Sequence, residues 1–245
     1  MLENRKRLAF FVILISIIFV GAFVLRKPDN QPEPIYLKAA IIDGLSEEFP
    51  NPDFIADATG ILTSGGYEVD YYNSSKVTVE MYKTLPERGY DLIILRIHTA
   101  PMDGNNPGAA FFTTEDQQGL YFTEQFLGWV RRARTLTRGD RYYAVTPVFF
   151  VEGMKGSFND TVILTMSCYG AIDDTLASIF IGRGAKAYIG WDEKVTANHM
   201  DEVTHILLEE YVTKENSLQD AVANVMEEYG EDPFYNSRLI LFSRN

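Results

Sequence analysis

The amino-acid sequence predicts an α/β protein, a three-layer sandwich with a mostly parallel sheet, preceded by one transmembrane helix. From residue 36 onward, short apolar segments alternate with stretches of helical spacing. Apolar strands that are each followed by a helix are typical of a parallel sheet with helices on both faces. Before them, residues 8–25 form one uncharged apolar run, which is long enough to cross the hydrocarbon layer of a bilayer.

The N-terminal region divides into three segments. Residues 1–7 form a short basic tail, residues 8–25 the predicted membrane helix, and residues 26–35 a proline-containing linker. A signal peptide has an apolar region of about 7–15 residues that ends in small side chains, whereas large side chains occupy residues 23–25. We therefore favour an anchor over a cleaved signal peptide. Three basic residues precede the run and two follow it, which favours a single-pass membrane protein with an extracytoplasmic domain.

Strands and helices then alternate through the domain, residues 36–245. Strands are predicted where short segments are largely apolar or alternate apolar with polar residues, at 36–42, 67–72, 91–97, 161–166, 185–190 and 238–242. Helices are predicted where apolar residues recur at helical spacing between turn residues, at 54–62, 79–85, 173–181, 196–212 and 218–229.

An insertion at about 99–159 interrupts this alternation. Within it the sequence predicts a helix at 123–134 and a strand at 142–151. The segment is too long for a simple connection, and it is rich in aromatic residues. Two interpretations stay open, a substrate-binding flap and a second small core.

Composition and charge exclude several function classes. The net charge of -12 disfavours non-specific binding to nucleic acid. The chain has one cysteine, so it can form neither an intrachain disulfide nor a four-cysteine metal site. Asp43, Gly44, Leu45 and Ser46 follow the first strand, where a nucleotide-binding protein has a glycine-rich motif. We therefore predict no cofactor.

Two residues at strand ends suggest chemistry. His98 follows the strand at 91–97, and Cys168 follows the strand at 161–166 and precedes a predicted helix. In an open parallel sheet, ligands bind beyond the carboxyl ends of the strands, so both side chains are expected at one edge. A thiol beside an imidazole suits nucleophilic catalysis, and a helix N-terminus lowers a thiol pKa. Each residue alone is more often structural; their joint placement favours a site.

A metal site is less favoured. His199 and His205 are six residues apart, which places them on different sides of a helix rather than on one face. Even with Asp201 nearby, ordinary surface histidines are the better interpretation. We predict no metal.

The sequence resembles the caspase-like cysteine peptidases, in particular their gingipain, clostripain and CHAT-type branches. The resemblance lies in the run TVILTMSCYGA around Cys168, the run GRGAKAYIGW that ends at Trp191, and the histidine that ends a core strand. It implies a caspase-like fold with Cys168 as nucleophile and His98 as general base and acid. It also implies an oxyanion site formed by the backbone N–H groups of Thr99 and Cys168. Thr99 stands where the family usually has glycine.

Three further residues are substrate-binding candidates. Several relatives cut after basic residues through an acidic pocket, so the resemblance favours Asp192 and Glu193, beside Trp191, as contacts to a basic substrate side chain. The expected function is a membrane-anchored cysteine peptidase with a protein or peptide substrate and with the lipid bilayer as partner of residues 8–25. The alternatives are an inactive descendant that serves as a membrane-tethered binding or scaffold module, and a hydrolase or transferase that uses Cys168 on another substrate.

Overall fold

The computed structural model describes residues 36–104 and 106–244 and contains two sheets. The larger has six strands in the order β10-β9-β8-β3-β1-β2, and β10 alone among them runs antiparallel to its neighbour. Its strands are β1 (Leu37–Asp43), β2 (Tyr67–Tyr72), β3 (Leu92–Arg96), β8 (Val162–Met166), β9 (Ala187–Trp191) and β10 (Leu239–Ser243). The prediction of an α/β protein with a mostly parallel sheet is confirmed.

Helices cover both faces of this sheet, which is compatible with a three-layer sandwich. All five residues of each of β3, β8 and β9 are buried, so these strands contribute side chains to two cores, one on each face. The helices are α1 (Pro52–Ser64), α2 (Val79–Thr84), α3 (Phe122–Phe126), α4 (Thr175–Gly182), α5 (Ala197–Leu208) and α6 (Leu218–Glu228). Short 3-10 turns precede and follow α2, and a π-helical turn continues α5 to Thr213.

The insertion forms a second, antiparallel sheet in the order β4-β5-β7-β6. Its strands are β4 (Thr99–Pro101), β5 (Ala109–Asp116), β6 (Val130–Arg134) and β7 (Arg141–Val145). Its aromatic side chains pack into a core of the main sheet, because Phe111 and Phe150 lie with ring centroids 5.0 Å apart and Phe150 lies 5.0 Å from Phe180 of α4. Most of the aromatic content therefore belongs to a core.

Two predicted elements of the insertion are wrong. The helix predicted at 123–134 ends at Phe126, because Gly128 takes a left-handed φ of 73° and the chain then pairs with β7 as strand β6. The strand predicted at 142–151 ends at Val145, because Pro147 lacks the N–H that a ladder needs. A π-helical turn at Phe149–Gly153 follows instead.

The predicted membrane helix and linker lie outside the described residues. Within residues 36–104 and 106–244, no helix combines the length and the apolar character that a membrane crossing requires.

Candidate active site

The carboxyl edge of the main sheet carries an open cavity of about 690 Å³. The chain order reverses between β1 and β3, and such a switch point is where open α/β sheets bind ligands. His98, Thr99 and Cys168 all line this cavity. Its apolar wall includes Leu45, Phe49, Phe112, Leu136, Val195 and Met200. The two predicted catalytic side chains therefore share one cavity at one sheet edge.

A tight turn after β8 presents Cys168. Tyr169, the next residue, takes a left-handed φ of 59°, which is rare for a bulky residue and is found at strained functional turns. Three hydrogen bonds fix the turn over β9: Tyr169 N–H to Glu193 O at 2.9 Å, Ala171 N–H to Trp191 O at 2.8 Å, and the Tyr188 hydroxyl to Gly170 O at 2.6 Å.

Glycine lets this turn approach the sheet. A Cβ atom at Gly190 would lie 3.1 Å from the carbonyl carbon of Gly170, and one at Gly170 would lie 3.0 Å from Ser167 Oγ. Both distances are closer than packed side chains allow without a shift. Gly190 thus lets the Cys168 turn lie directly against β9, and Gly170 lets the turn fold closely over Ser167 and Thr165.

The Cys168 thiol is half-buried and neutral at ordinary pH. Its S–H group donates to Val195 O at 3.6 Å. Burial raises the pKa of Cys168 and outweighs the nearby Lys194 ammonium, which lowers it. The predicted helix N-terminus does not assist, because α4 begins at Thr175, seven positions further along the chain. That expectation was wrong, since a turn and a bend separate the cysteine from the helix.

His98 forms a pair with a buried acid. Its Nε2 lies 2.9 Å from Glu48 Oε2, and the rings of Phe49 and Phe112 flank the imidazole with centroids 6.1 Å away. The Glu48 side chain is 8% exposed, and its Oε1 is buried without a hydrogen-bond partner among the described residues. In this part of the chain, no hydrogen bond joins His98 to Cys168.

Sequence reasoning missed Glu48. The residue lies in the loop after β1, beside Glu47 in a Ser-Glu-Glu-Phe run. The carboxyl end of β1 is next to that of β3, so the loop was a reasonable place to look for an acid. Nothing in the sequence distinguishes the buried Glu48 from the exposed Glu47.

The backbone N–H group of Thr99 forms no hydrogen bond within the β4–β5 pair. Phe112 N–H donates to His98 O at 2.9 Å, so Thr99, opposite Phe111, occupies the non-hydrogen-bonded position of the β4–β5 pair. Its N–H therefore points away from β5, and β4 is an edge strand. The hydroxyls of Thr99 and Ser167 are also buried without partners among the described residues, and both residues line the cavity.

The three substrate-binding candidates lie elsewhere. Trp191 is fully buried in a core. Asp192 accepts a hydrogen bond from Arg238 N–H at 2.7 Å, and Glu193 accepts one from Lys194 N–H at 3.1 Å. None of the three lines the cavity. Lys194 does line it.

The charged side chains that line the cavity are basic. Lys194 and Arg134 both belong to its wall. Within residues 36–104 and 106–244, neither forms a salt bridge, although Arg134 Nε donates to Gly139 O at 3.2 Å. The expectation of an acidic pocket therefore has no support in the lining of this cavity.

A comparison of the chain with models of protein families and with curated proteins finds no match. The resemblance to caspase-like peptidases therefore stays a prediction, and the geometry of the site is the basis for assigning a function.

Neither of the two histidines on α5 lines the cavity. His205 lies 3.5 Å from Glu209, one turn along the same helix, and His199 packs beside Trp191. In the described part of the chain, no group of three or more histidine, cysteine, aspartate or glutamate side chains is arranged to hold a metal ion.

Proposed function

We propose that the protein is a membrane-anchored, caspase-like cysteine peptidase that uses Cys168 as nucleophile and His98 as general base. One observation carries the proposal: a thiol and an imidazole paired with a buried carboxylate border the same open cavity at the carboxyl edge of a parallel sheet. Nucleophile, base and a third group that orients the base are the parts that nucleophilic catalysis requires. Glu48 is the third group.

The histidine tautomer follows from its partner. An ionised Glu48 accepts a hydrogen bond, so His98 donates through Nε2–H and keeps the lone pair on Nδ1. With substrate bound, Nδ1 takes the proton from the Cys168 thiol, and Glu48 stabilises the resulting imidazolium. Catalytic hydrogen bonds are often long in a free enzyme and tighten when substrate binds, which agrees with a thiol that donates to Val195 O in the free protein.

The reaction proceeds through a thioester. The Cys168 thiolate attacks the peptide carbonyl carbon, and the N–H groups of Thr99 and Cys168 donate to the negative oxygen of the tetrahedral intermediate. His98 returns its proton to the leaving amine as the C–N bond breaks. Water, deprotonated by His98, then hydrolyses the thioester and releases the carboxylic acid, which restores the thiol.

The cavity lining favours a substrate with a negative charge. Lys194 and Arg134 supply positive charge at its wall, while the chain as a whole carries -12. A positive cavity in a negative protein concentrates anionic groups locally. The preferred peptides therefore present aspartate or glutamate beside the bond to be cut.

The proposed location rests on the sequence alone. Residues 8–25 anchor the chain in the bilayer as a single-pass helix, residues 26–35 are the linker, and the domain works outside the cytoplasm. Its substrates are then proteins or peptides at or beyond that membrane surface.

A specific observation favours the second candidate, a non-catalytic binding or scaffold domain. The raised pKa of Cys168 and its bond to Val195 O are also what a structural cysteine shows. The two candidates differ in whether the thiol ever reacts.

Cleavage of a peptide library by the full chain in detergent micelles separates them. We expect cleavage by the wild-type chain, and its loss in both Cys168→Ala and His98→Ala. His205→Ala is the matched control, because it removes an imidazole that does not line the cavity, and it should cleave as the wild type does. A wild-type chain that cleaves no peptide, or a Cys168→Ala variant that still cleaves, would favour the scaffold.

A further inference from the structure

The loop that carries Glu48 is tied to one buried side chain. Residues 44–51 lead from β1 to α1, and Glu48 lies between two anchored ends. At the start, Gly44 N–H donates to the carbonyl of Arg96 at 2.9 Å. Near the end, the Arg96 side chain donates through Nη2 to Phe49 O at 2.8 Å. The residue next to Glu48 is thus held by the last residue of β3.

The guanidinium of Arg96 is fixed by two carboxylates. Its Nε and Nη2 donate to the two oxygens of Asp201 on α5, at 2.8 and 2.9 Å, and its Nη1 donates to Asp43 at 2.9 Å. Asp201 also accepts from Asn51 Nδ2 at 2.9 Å, and Asn51 caps the start of α1. Arg96 is 1% exposed. Because Asp201 and Asp43 hold the planar guanidinium from two sides, the Nη2–H group that donates to Phe49 O has little freedom to move.

The charge on Arg96 is secure. Burial alone would lower the pKa of Arg96, but the hydrogen bonds and charges of Asp201 and Asp43 outweigh burial and raise it. The group therefore stays a cation and a donor at every pH at which the protein works.

We propose that Arg96 is a positioning residue, which holds the Phe49 carbonyl and thereby places the Glu48 carboxylate against His98. This role rests on the proposed function, because it concerns the same base. Arg96 and His98 are two positions apart on the chain, so β3 supplies both the imidazole and the anchor for the acid that pairs with it. Asp201 acts one step further out, through Arg96.

If Arg96 and its two carboxylate partners only stabilised the fold, their loss would not affect His98 specifically. Loss of a buried ion pair destabilises any fold, so stability does not distinguish the two roles. Glu210 offers a matched control: it is 5% exposed, it accepts from Lys214, Asn216 and Asn224, and it has no contact with the Glu48 loop among the described hydrogen bonds. Its loss should lower stability and leave His98 unchanged.

The test uses the full chain in detergent micelles with labelled histidine rings. The chain has three histidines, so the His98 signals in an NMR spectrum are assigned by His98→Asn. Spectra are recorded for Glu48→Gln, Asp201→Asn, their double variant and Glu210→Gln. Cleavage of the best library peptide is measured on the same samples.

We expect Asp201→Asn to move the His98 signals in the direction that Glu48→Gln moves them, and Glu210→Gln to leave them in place. We expect kcat/KM to fall about tenfold in Asp201→Asn, and by no more than about twofold further when Asp201→Asn is added to Glu48→Gln. Any one of three results would overturn the proposal. The first is a double variant whose loss of kcat/KM equals the product of the two single losses. The others are His98 signals that do not move in Asp201→Asn, and signals that move equally in Glu210→Gln.

A second variant is used in case Asp201→Asn does not fold. Asn51→Ser removes the outer hydrogen bond to Asp201, keeps a side-chain oxygen that can cap α1, and leaves the ion pairs of Arg96 intact. Moved His98 signals with a lower kcat/KM support the proposal, and unmoved signals overturn it. The NMR readout does not need catalysis. If the wild-type chain cleaves nothing while the His98 signals respond as expected, the peptidase function fails and the positioning role stands.

Discussion

Glu48→Gln is the most specific test of the site. Glutamine keeps the size of the side chain and an oxygen that can accept from His98 Nε2–H, but it removes the charge that stabilises the imidazolium. The Glu48 side chain is 8% exposed, so water screens this charge little. A hydrogen bond to a charged group contributes about 1.5–3 kcal/mol and a neutral one about 0.5–1.5 kcal/mol, so a loss of about 1–1.5 kcal/mol corresponds to a fall in kcat of about 5- to 13-fold.

The assay compares kcat on the best library peptide for the full chain in detergent micelles. Glu47→Gln is the matched control, because it makes the same change of charge at the adjacent, exposed residue. Unfolding midpoints of both variants show whether the fold is retained. Equal kcat values for two folded variants would refute the role of Glu48.

Three further results are expected. Because burial raises the pKa of Cys168 from 9.0, iodoacetamide should alkylate the folded chain more slowly than the urea-unfolded chain at about pH 8, and the difference should shrink at higher pH as the folded thiol ionises. Lys194→Ala and Arg134→Ala should each lower kcat/KM for acidic peptides by about tenfold, whereas Arg131→Ala, outside the cavity wall, should not. Asp232→Asn should lower the free energy of unfolding at pH 7 by about 1.5–3 kcal/mol, measured by urea denaturation. Burial alone would raise the pKa of Asp232, but bonds from three backbone amides and a hydroxyl lower it, so this loss should shrink as the pH falls through that lowered pKa.

Each of these results has a contrary outcome. A folded chain that reacts as fast as the unfolded one would mean that the thiol is already ionised. An equal fall in kcat/KM for Arg131→Ala and Lys194→Ala would mean that the charge of the cavity wall does not determine the preference for acidic peptides. A stability loss in Asp232→Asn that is the same at pH 7 and at about pH 2 would mean that its ionised form contributes nothing.

The sheet was predictable because its strands follow local rules. β3 and β8 are short, largely apolar and fully buried, and their carboxyl ends place His98 and Cys168 at one edge. The insertion was not predictable in the same way. Gly128 divides a stretch of helical appearance, and Pro147 ends a strand early.

The acid partner and the cavity charge depend on tertiary placement. Glu48 and Glu47 are chemically alike and adjacent, and the course of the loop after β1 decides which one is buried against His98. Likewise, Glu193 and Lys194 are neighbours after β9, and the turn there directs the lysine to the cavity. Local sequence patterns contain no information on either choice.

Covalent labelling tests the central claim most directly. The full chain has a single cysteine, so its intact mass after reaction with a peptidyl acyloxymethyl ketone, built on the best library peptide, reports on Cys168. We expect one adduct at Cys168 in the wild-type chain and none in His98→Ala over the same time. Equal labelling of both chains, or no adduct in the wild type, would contradict a nucleophile activated by His98.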